Sequence, residues 1–185
     1  SYAEIVADPK NSIRFDDELH KHIFDILPEY GQDARLVMSA NSDGSGQAEQ
    51  PLLVTMTEKL LITLLTKLSN LVPDAGVWMN TLRPEWNDAN NALVGNGASM
   101  VTLCYMRRFV VFLQRLFDGM DTTYAVSREV VQFLYAILQA TEQYLQANAT
   151  LSDEARRQYT DAAGLAGEAY RTAAYAGFSG EKVEL

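Results

Sequence analysis

The sequence has few of the residues that several common protein classes require. Its single cysteine, Cys104, excludes an internal disulfide and a zinc site built from cysteines. Its 15 Lys and Arg residues face 24 Asp and Glu residues, and the net charge of −9 argues against binding to nucleic acids or anionic membranes. No apolar run approaches the ~20 residues of a membrane span, and the first residues lack a signal-peptide pattern. We therefore expect a cytoplasmic protein with no membrane or nucleic-acid partner.

What the chain does have is enough apolar material for a folded core. Its 185 residues are 48% hydrophobic, which suits one domain. The acidic residues concentrate towards both ends. Residues 1–56 carry ten acidic and four basic side chains, residues 120–185 carry nine and five, and the residues between them carry five and six. We expect the core and any functional site in this near-neutral middle third.

The spacing of apolar residues predicts four long helices. Apolar side chains recur every three or four residues in four segments, over about 57–72, 98–118, 127–147 and 152–175. No alternation typical of strands appears after residue 54. The predicted fold class is all-α, with antiparallel helical hairpins. The helical domain spans 57–185, and a loop-rich segment over 1–56 packs on it.

Two details of these helices lead to sharper expectations. Thr55 and Glu58 have the spacing of a capping box, in which the threonine hydroxyl accepts the Glu58 N–H and the carboxylate bonds back to the start of the helix. The helix over 98–118 is apolar almost all round, which predicts burial on most of its sides. Cys104 lies in this helix, and we expect a buried, inert thiol.

The candidate site lies between the first two long helices. Residues 78–97 form a predicted loop with two tryptophans, two carboxylates three residues apart, an arginine and several asparagines. In sugar sites an aromatic face stacks on the ring, amides bind hydroxyls and a carboxyl protonates the glycosidic oxygen. A structural alternative fits the same residues, since turns and caps would lead into the next helix and the tryptophans would anchor the core.

One motif in this loop is distinctive: Glu85-Trp86-Asn87-Asp88-Ala89-Asn90-Asn91. It resembles the Asp-Trp-Asn-Asp-Gly-x-Asn signature of the cellobiose phosphorylase family. That family belongs to a clan of glycoside hydrolases and phosphorylases built as an (α/α) toroid of six helical hairpins. The resemblance covers seven residues, and Glu85 and Ala89 depart from it by replacing Asp and Gly. It implies that the chain is part of a toroid, because a complete one has far more than four helices.

The resemblance also implies roles for the residues of the motif. Glu85 is the expected general acid of an inverting mechanism. Asp88, three residues away, is a poor candidate for the opposing base and would instead bind sugar hydroxyls or, as a like charge, raise the pKa of Glu85. Trp86, Asn87 and Asn91 would shape the sugar subsite. The residue types add two further candidates outside the motif, Trp78 and Arg83. Trp78 would be a stacking surface, and Arg83 would either contact phosphate or form an ion pair with Asp88.

The predicted function is that of part of a carbohydrate-active enzyme, either a glycoside hydrolase or a disaccharide phosphorylase. Its expected partners are a carbohydrate substrate and inorganic phosphate, with no cofactor and no metal. The remaining domains of a longer chain, or further copies in a homo-oligomer, would complete it. Two alternatives remain open. One is a non-catalytic helical protein-interaction domain, and the other is a small enzyme whose active site forms between subunits.

Overall fold

Five helices carry most of the structure. The computed structural model describes residues 1–12, 16–18, 21, 25, 52–79, 92–147 and 152–185. Within these residues the helices are α1 (Tyr2–Ala7), α2 (Met56–Leu68), α3 (Met100–Phe117), α4 (Arg128–Gln146) and α5 (Asp153–Ala176). None of them is long and apolar enough to cross a membrane. The predicted mostly helical character is confirmed, although the apolar spacing did not predict α1.

Side-chain caps explain where the long helices begin. The Thr55 hydroxyl accepts a hydrogen bond from the Glu58 N–H at 3.2 Å, and the Ser152 hydroxyl accepts one from the Ala155 N–H at 3.1 Å. The α2 helix ends at Leu68, four residues before the predicted end. There Ser69 is the C-cap, and the chain turns into a strand. Gly119, two residues after the end of α3, has φ +71°, which a glycine adopts without steric cost.

Five short strands accompany the predicted helices. Strands β1 (Leu71–Val72), β2 (Gly76–Trp78) and β3 (Ala98–Ser99) form one antiparallel sheet, and β4 (Ala125–Ser127) and β5 (Lys182–Glu184) form another. Each strand has only two or three residues, which is too short to show an apolar–polar alternation in the sequence. The fold is therefore mostly helical, with two small antiparallel sheets.

Helices α4 and α5 form the antiparallel hairpin at the centre of the fold. Ring pairs join opposite ends of the two helices, with 4.8 Å between the centroids of Phe133 and Tyr170 and 5.6 Å between those of Tyr144 and Tyr159. Helix α2 packs on the same core through Leu65, which is 1% exposed. Phe178, also 1% exposed, follows α5 and inserts into this core. Burial of these side chains is the main stabilising contribution.

Helix α3 lies outside this core, which corrects the prediction that it is buried on most sides. It contacts α2 and β2, and only its Met106 and Leu113 are buried. The core cluster between α2, α4 and α5 contains no residue of α3. Cys104 is exposed, so the expected buried thiol is wrong as well. Periodicity shows that this helix has apolar side chains on several faces, but the described part of the chain buries only the face with Met106 and Leu113.

A buried carboxylate joins three elements that are distant in sequence. Glu58, in the first turn of α2, is 0% exposed. Its Oε2 accepts hydrogen bonds from the Ser127 backbone N–H at 3.0 Å and from Lys182 Nζ at 3.1 Å. Lys182 Nζ also donates to Ser127 Oγ at 2.8 Å. The second half of the predicted capping box is therefore wrong: the Glu58 carboxylate holds the start of α4 and the strand β5 instead.

The buried Glu58 carboxylate predicts that a single variant, Lys182→Met, is less stable than the double variant that also replaces Glu58. Replacing Lys182 by Met leaves a fully buried carboxylate without its cation, and we expect the free energy of unfolding to fall by about 3 kcal/mol or more. Adding Glu58→Gln to Lys182→Met removes the buried charge, so the double variant is expected to be more stable than Lys182→Met alone. Urea denaturation of the two variants and the parent chain measures this order.

The exposed pair between Arg128 and Glu181 supplies the matched control. Both side chains are almost half exposed, so Arg128→Met is expected to cost less than about 1 kcal/mol. If Lys182→Met lowered the free energy of unfolding no more than Arg128→Met does, Lys182 would not be the stabilising partner of the buried Glu58 carboxylate.

Candidate functional site

The two ends of the predicted loop are joined by backbone hydrogen bonds. Trp78 pairs with Ala98 across β2 and β3, and the ladder continues beyond the strands. The Met79 N–H donates to the Gly97 carbonyl at 3.2 Å, and the Gly95 N–H donates to the Met79 carbonyl at 2.8 Å. The chain therefore enters and leaves residues 80–91, here called the motif segment, through one short antiparallel stem.

Two backbone conformations allow this stem to form. Asp74, with φ 63°, lies in the turn between β1 and β2, where the Ala75 N–H donates to the Val72 carbonyl at 3.1 Å. Gly76 has φ +137°, and a Cβ at this position would lie 2.9 Å from the Ser99 carbonyl oxygen. A side chain there would push β3 away. Glycine thus permits the close approach that joins the stem.

Most of the predicted site residues fall outside the described residues. These are Arg83, Glu85, Trp86, Asn87, Asp88 and Asn91, all of which follow Met79 and precede Ala92 in the chain. Their roles stay predictions. Trp78 is described, and it stands at the stem through which the chain enters the motif segment.

Trp78 lines a cavity of about 270 Å³, here called the Trp78 cavity. The residue is half-buried, and its backbone N–H donates to the Asn70 carbonyl at 2.7 Å. Its indole Nε1 is buried and has no hydrogen-bond partner within the described part of the chain. A buried donor without a partner carries a desolvation cost of about 1–3 kcal/mol, which a ligand acceptor would recover. Tyr2, Val6 and Arg157 also line this cavity.

Helix α1 forms one wall of the Trp78 cavity and is held to α5 by a hydrogen-bonded cluster. Tyr2 Oη donates to Asp161 Oδ1 at 2.7 Å, and Arg157 Nε contacts both oxygens of the same carboxylate at 2.8 Å. Burial and the bond to Asp161 raise the pKa of Tyr2. Burial acts to raise the pKa of Asp161 as well, but the bonds from Tyr2 and Arg157 outweigh it and lower that pKa.

The direction of the Asp161 shift determines how this contact depends on pH. Because the folded-state pKa is depressed, its stabilising contribution is fully present above the ordinary value of 3.8. The contribution is lost as the pH falls through the lower folded-state pKa. The attachment of α1 is therefore complete at neutral pH and weakens only in strong acid.

A second cavity of about 440 Å³ lies on the other side of α1, between α2 and α5. We call it the Arg171 cavity. It shares Ile5, Ser69 and Asn70 with the Trp78 cavity, so the two hollows have a common wall. Lys67 and Arg171 bring positive charge to its lining. The predicted site residues do not line it within the described ranges.

The sequence gives no local signal for these cavities. Tyr2 and Asp161 are 159 positions apart, and Lys67 and Arg171 each occupy an ordinary position in an amphipathic helix. Gly164 and Gly167 within α5 are the one feature that could have indicated a close approach, since glycine is unfavourable in a helix interior. Among the described residues, no group of three or more His, Cys, Asp or Glu side chains could hold a metal ion.

Substitution of Gly164 by Ala is expected to weaken the attachment of α1 without lowering the global stability of the chain. A Cβ at this position would lie 2.1 Å from the Tyr2 ring, so Gly164→Ala displaces α1. The same change favours the α5 helix by about 0.5–1 kcal/mol. We expect tryptic cleavage after Lys10 to accelerate, measured by mass spectrometry, while the urea midpoint stays unchanged or rises.

Leu165→Ala, at an exposed neighbouring position, is the control and is expected to leave the cleavage rate unchanged. Equal cleavage rates in all three proteins would contradict the packing of Tyr2 on Gly164.

Comparison with known proteins assigns no family to the chain. No protein-family model matches the sequence, and no curated protein matches it. Three features of the chain itself bear on its function: the motif after Trp78, the two cavities beside α1, and the exposed surface of α3.

Proposed function

We propose that this chain is part of a carbohydrate-active enzyme of the inverting glycoside hydrolase or disaccharide phosphorylase type. In this proposal Glu85 is the general acid, and the sugar binds between the motif segment and Trp78. The observation that carries the proposal is the position of Trp78, at the stem of the segment that contains the motif and beside a cavity. The toroid fold and the cytoplasmic location belong to the same proposal.

The free indole N–H of Trp78 supports a sugar ligand. The donor is buried and has no partner within the described residues, and a sugar hydroxyl is an acceptor of suitable size. The flat indole also suits the apolar face of a pyranose ring. Carbohydrate recognition commonly combines such a ring with hydrogen-bonding side chains, and Asn70 and Arg157 line the same cavity.

The general-acid role predicts separate effects on turnover and on binding. Glu85→Gln removes the proton that the leaving oxygen requires, and we expect kcat to fall by about 10²–10⁴-fold. Binding of the sugar next to Trp78 should persist. The sequence contains two tryptophans, so Trp86→Phe leaves Trp78 as the only indole fluorophore. A disaccharide panel titrated against that variant, with and without Glu85→Gln, measures binding, and release of reducing sugar measures turnover with water or phosphate as acceptor.

Two controls make this result specific. Glu142→Gln removes an exposed carboxylate of α4 and is expected to leave turnover unchanged. Trp78→Phe removes the indole donor and is expected to weaken sugar binding about tenfold, consistent with the loss of one buried hydrogen bond. Isothermal titration calorimetry measures this affinity, because the variant lacks the reporter indole. A Trp78 signal that no disaccharide alters, or full turnover by Glu85→Gln, would contradict the proposal.

A second candidate function is favoured by the exposed surface of α3. Its solvent-facing side carries a continuous row with helical spacing, the α3 stripe, formed by Val101, Tyr105, Arg108, Phe112 and Leu116. Val101, Tyr105 and Phe112 are each more than half exposed. A contiguous apolar row of this kind marks an interaction surface. We propose that it binds a helix of another protein segment, as in a helical interaction domain.

The charges of α3 specify the chemistry of that partner. Residues 100–117 contain three arginines and no acidic residue, although the whole chain has a net charge of −9. Arg108 lies over the Tyr105 ring at 5.6 Å, within the stripe itself. None of the three arginines forms an ion pair within the part of the chain that the structure describes. The complementary occupant is an amphipathic helix with an apolar stripe and acidic flanks.

The α3 stripe predicts selective peptide binding. Two synthetic helices with the same leucine stripe, one flanked by Glu and one by Lys, test the charge complementarity. We expect the acidic peptide to bind at least about tenfold more tightly and to weaken as salt is added. Phe112→Ser should abolish this binding, whereas Tyr135→Ser, which removes an exposed ring of α4, should not. Equal affinity for both peptides, or self-association of the chain that Phe112→Ser removes, would contradict an acidic helix as the occupant.

A further inference from the structure

The Arg171 cavity has a charge opposite to that of the chain around it. The cavity lies where α1, α2 and α5 meet, and Lys67 and Arg171 line it. No Asp or Glu belongs to its lining among the described residues, although the chain has nine more acidic than basic side chains. Solubility alone does not explain a positively charged cavity in an acidic protein.

Arg171 differs from its neighbours in having no carboxylate partner. The described residues of 120–185 contain five cationic side chains. Four of these form ion pairs with acidic residues: Arg128, Arg156, Arg157 and Lys182. The Arg171 side chain forms no ion pair or hydrogen bond within the described part of the chain, and the same holds for the side chain of Lys67 in the last turn of α2. Two free cations from different helices thus line one cavity.

Gly167 allows α5 and the end of α2 to approach closely in the lining of the cavity. A Cβ on Gly167 would lie 2.7 Å from Ser69 Oγ and 3.6 Å from Arg171 Nη1, so an alanine would clash with Ser69. Because Gly167 has no side chain, Ser69 packs directly against α5, and Ser69 and Arg171 both line the cavity. The close approach thus brings a hydroxyl from the end of one helix and a guanidinium from another to the same cavity.

An aromatic wall completes the cavity. Tyr170 stacks on Phe133 with 4.8 Å between their ring centroids and an interplanar angle of 15°. The Tyr170 hydroxyl has no hydrogen-bond partner within the described ranges. Burial, and secondly the negative charge of Glu58, raise the pKa of Tyr170 to about 12, so the hydroxyl stays protonated and can donate at neutral pH. Phe133 and Tyr170 both line the cavity, so this wall combines apolar ring atoms with a hydroxyl donor.

We propose that the Arg171 cavity binds a small organic oxyanion, a phosphate ester or a carboxylate attached to a sugar-sized body. Arg171 holds two oxygens of the anionic group in its planar fork, and Lys67 supplies a second positive charge. The ring pair of Tyr170 and Phe133 covers the uncharged body. A cavity of about 440 Å³ is larger than an inorganic anion needs and matches a small-molecule ligand. This site is independent of the proposed catalytic role of Glu85.

The test compares four probes on the complete chain by isothermal titration calorimetry. The probes are glucose 6-phosphate, glucuronate, inorganic phosphate and glucose. We expect saturable binding of one or both organic anions, at least about tenfold tighter than that of inorganic phosphate or glucose, because only they engage both the cations and the aromatic wall. The first two probes distinguish a phosphate ester from a carboxylate as the preferred group. Affinity should fall as ionic strength rises.

Matched variants distinguish binding in the Arg171 cavity from attraction of the ligand to positive charge elsewhere on the chain. Arg171→Met and Lys67→Met should each weaken binding at least about tenfold. Arg115→Met and Lys59→Met remove the same charges from exposed positions outside the cavity and should change it less than about twofold. The Arg171 and Lys67 side chains have no ion-pair partner among the described residues, so both variants are expected to fold, and Arg171→Lys should restore part of the affinity. Absence of saturable binding, or equal losses in the cavity and control variants, would overturn the proposal.

Discussion

The carboxylate of Glu58 is the interaction on which the arrangement of the other elements depends. Its Oε2 accepts from a backbone N–H at the start of α4 and from Lys182 of β5, although these groups are 69 and 124 residues away in the chain. Its Oε1 is buried and has no partner within the described residues, so the carboxylate carries a real desolvation cost. Such a group fixes one arrangement of its neighbours, because any shift that removes Lys182 leaves a buried charge uncompensated.

This constraint positions the cavities. With Lys182 held beside Ser127, β5 pairs with β4 and the chain leaving α5 must return across the start of α4. Glu129 strengthens that return, because its Oε1 accepts the Ser179 N–H at 2.8 Å. The end of α5 is then fixed against α4, and Tyr170 faces Phe133. The Glu58 contact thus supports the same pairing of α4 and α5 that holds the aromatic wall of the Arg171 cavity.

Local chemistry determines the parts of the fold that the sequence predicts, and long-range contacts determine the rest. Apolar spacing with the caps Thr55 and Ser152 places the four long helices to within a few residues. The partner of Glu58 was predicted wrongly because a capping box describes four consecutive residues, whereas the real partners come from two other elements. For the same reason periodicity could not show which face of α3 is covered. Of the predicted site residues, only Trp78 can be compared with the structure.

The exposure of α3 connects the two functional proposals. The helix begins at Met100, directly after β3, so its first turn adjoins the stem that carries the motif segment. Met100, Val101, Cys104, Tyr105 and Arg108 line a hollow of about 220 Å³ at this end of the α3 stripe. A helix seated on the stripe would therefore lie beside the stem. In the two proposals, the partner of the α3 stripe, whether the remainder of a longer chain or a separate protein, would therefore lie next to the stem at Trp78 and Ala98. A carbohydrate site and an association surface are thus compatible features of one molecule.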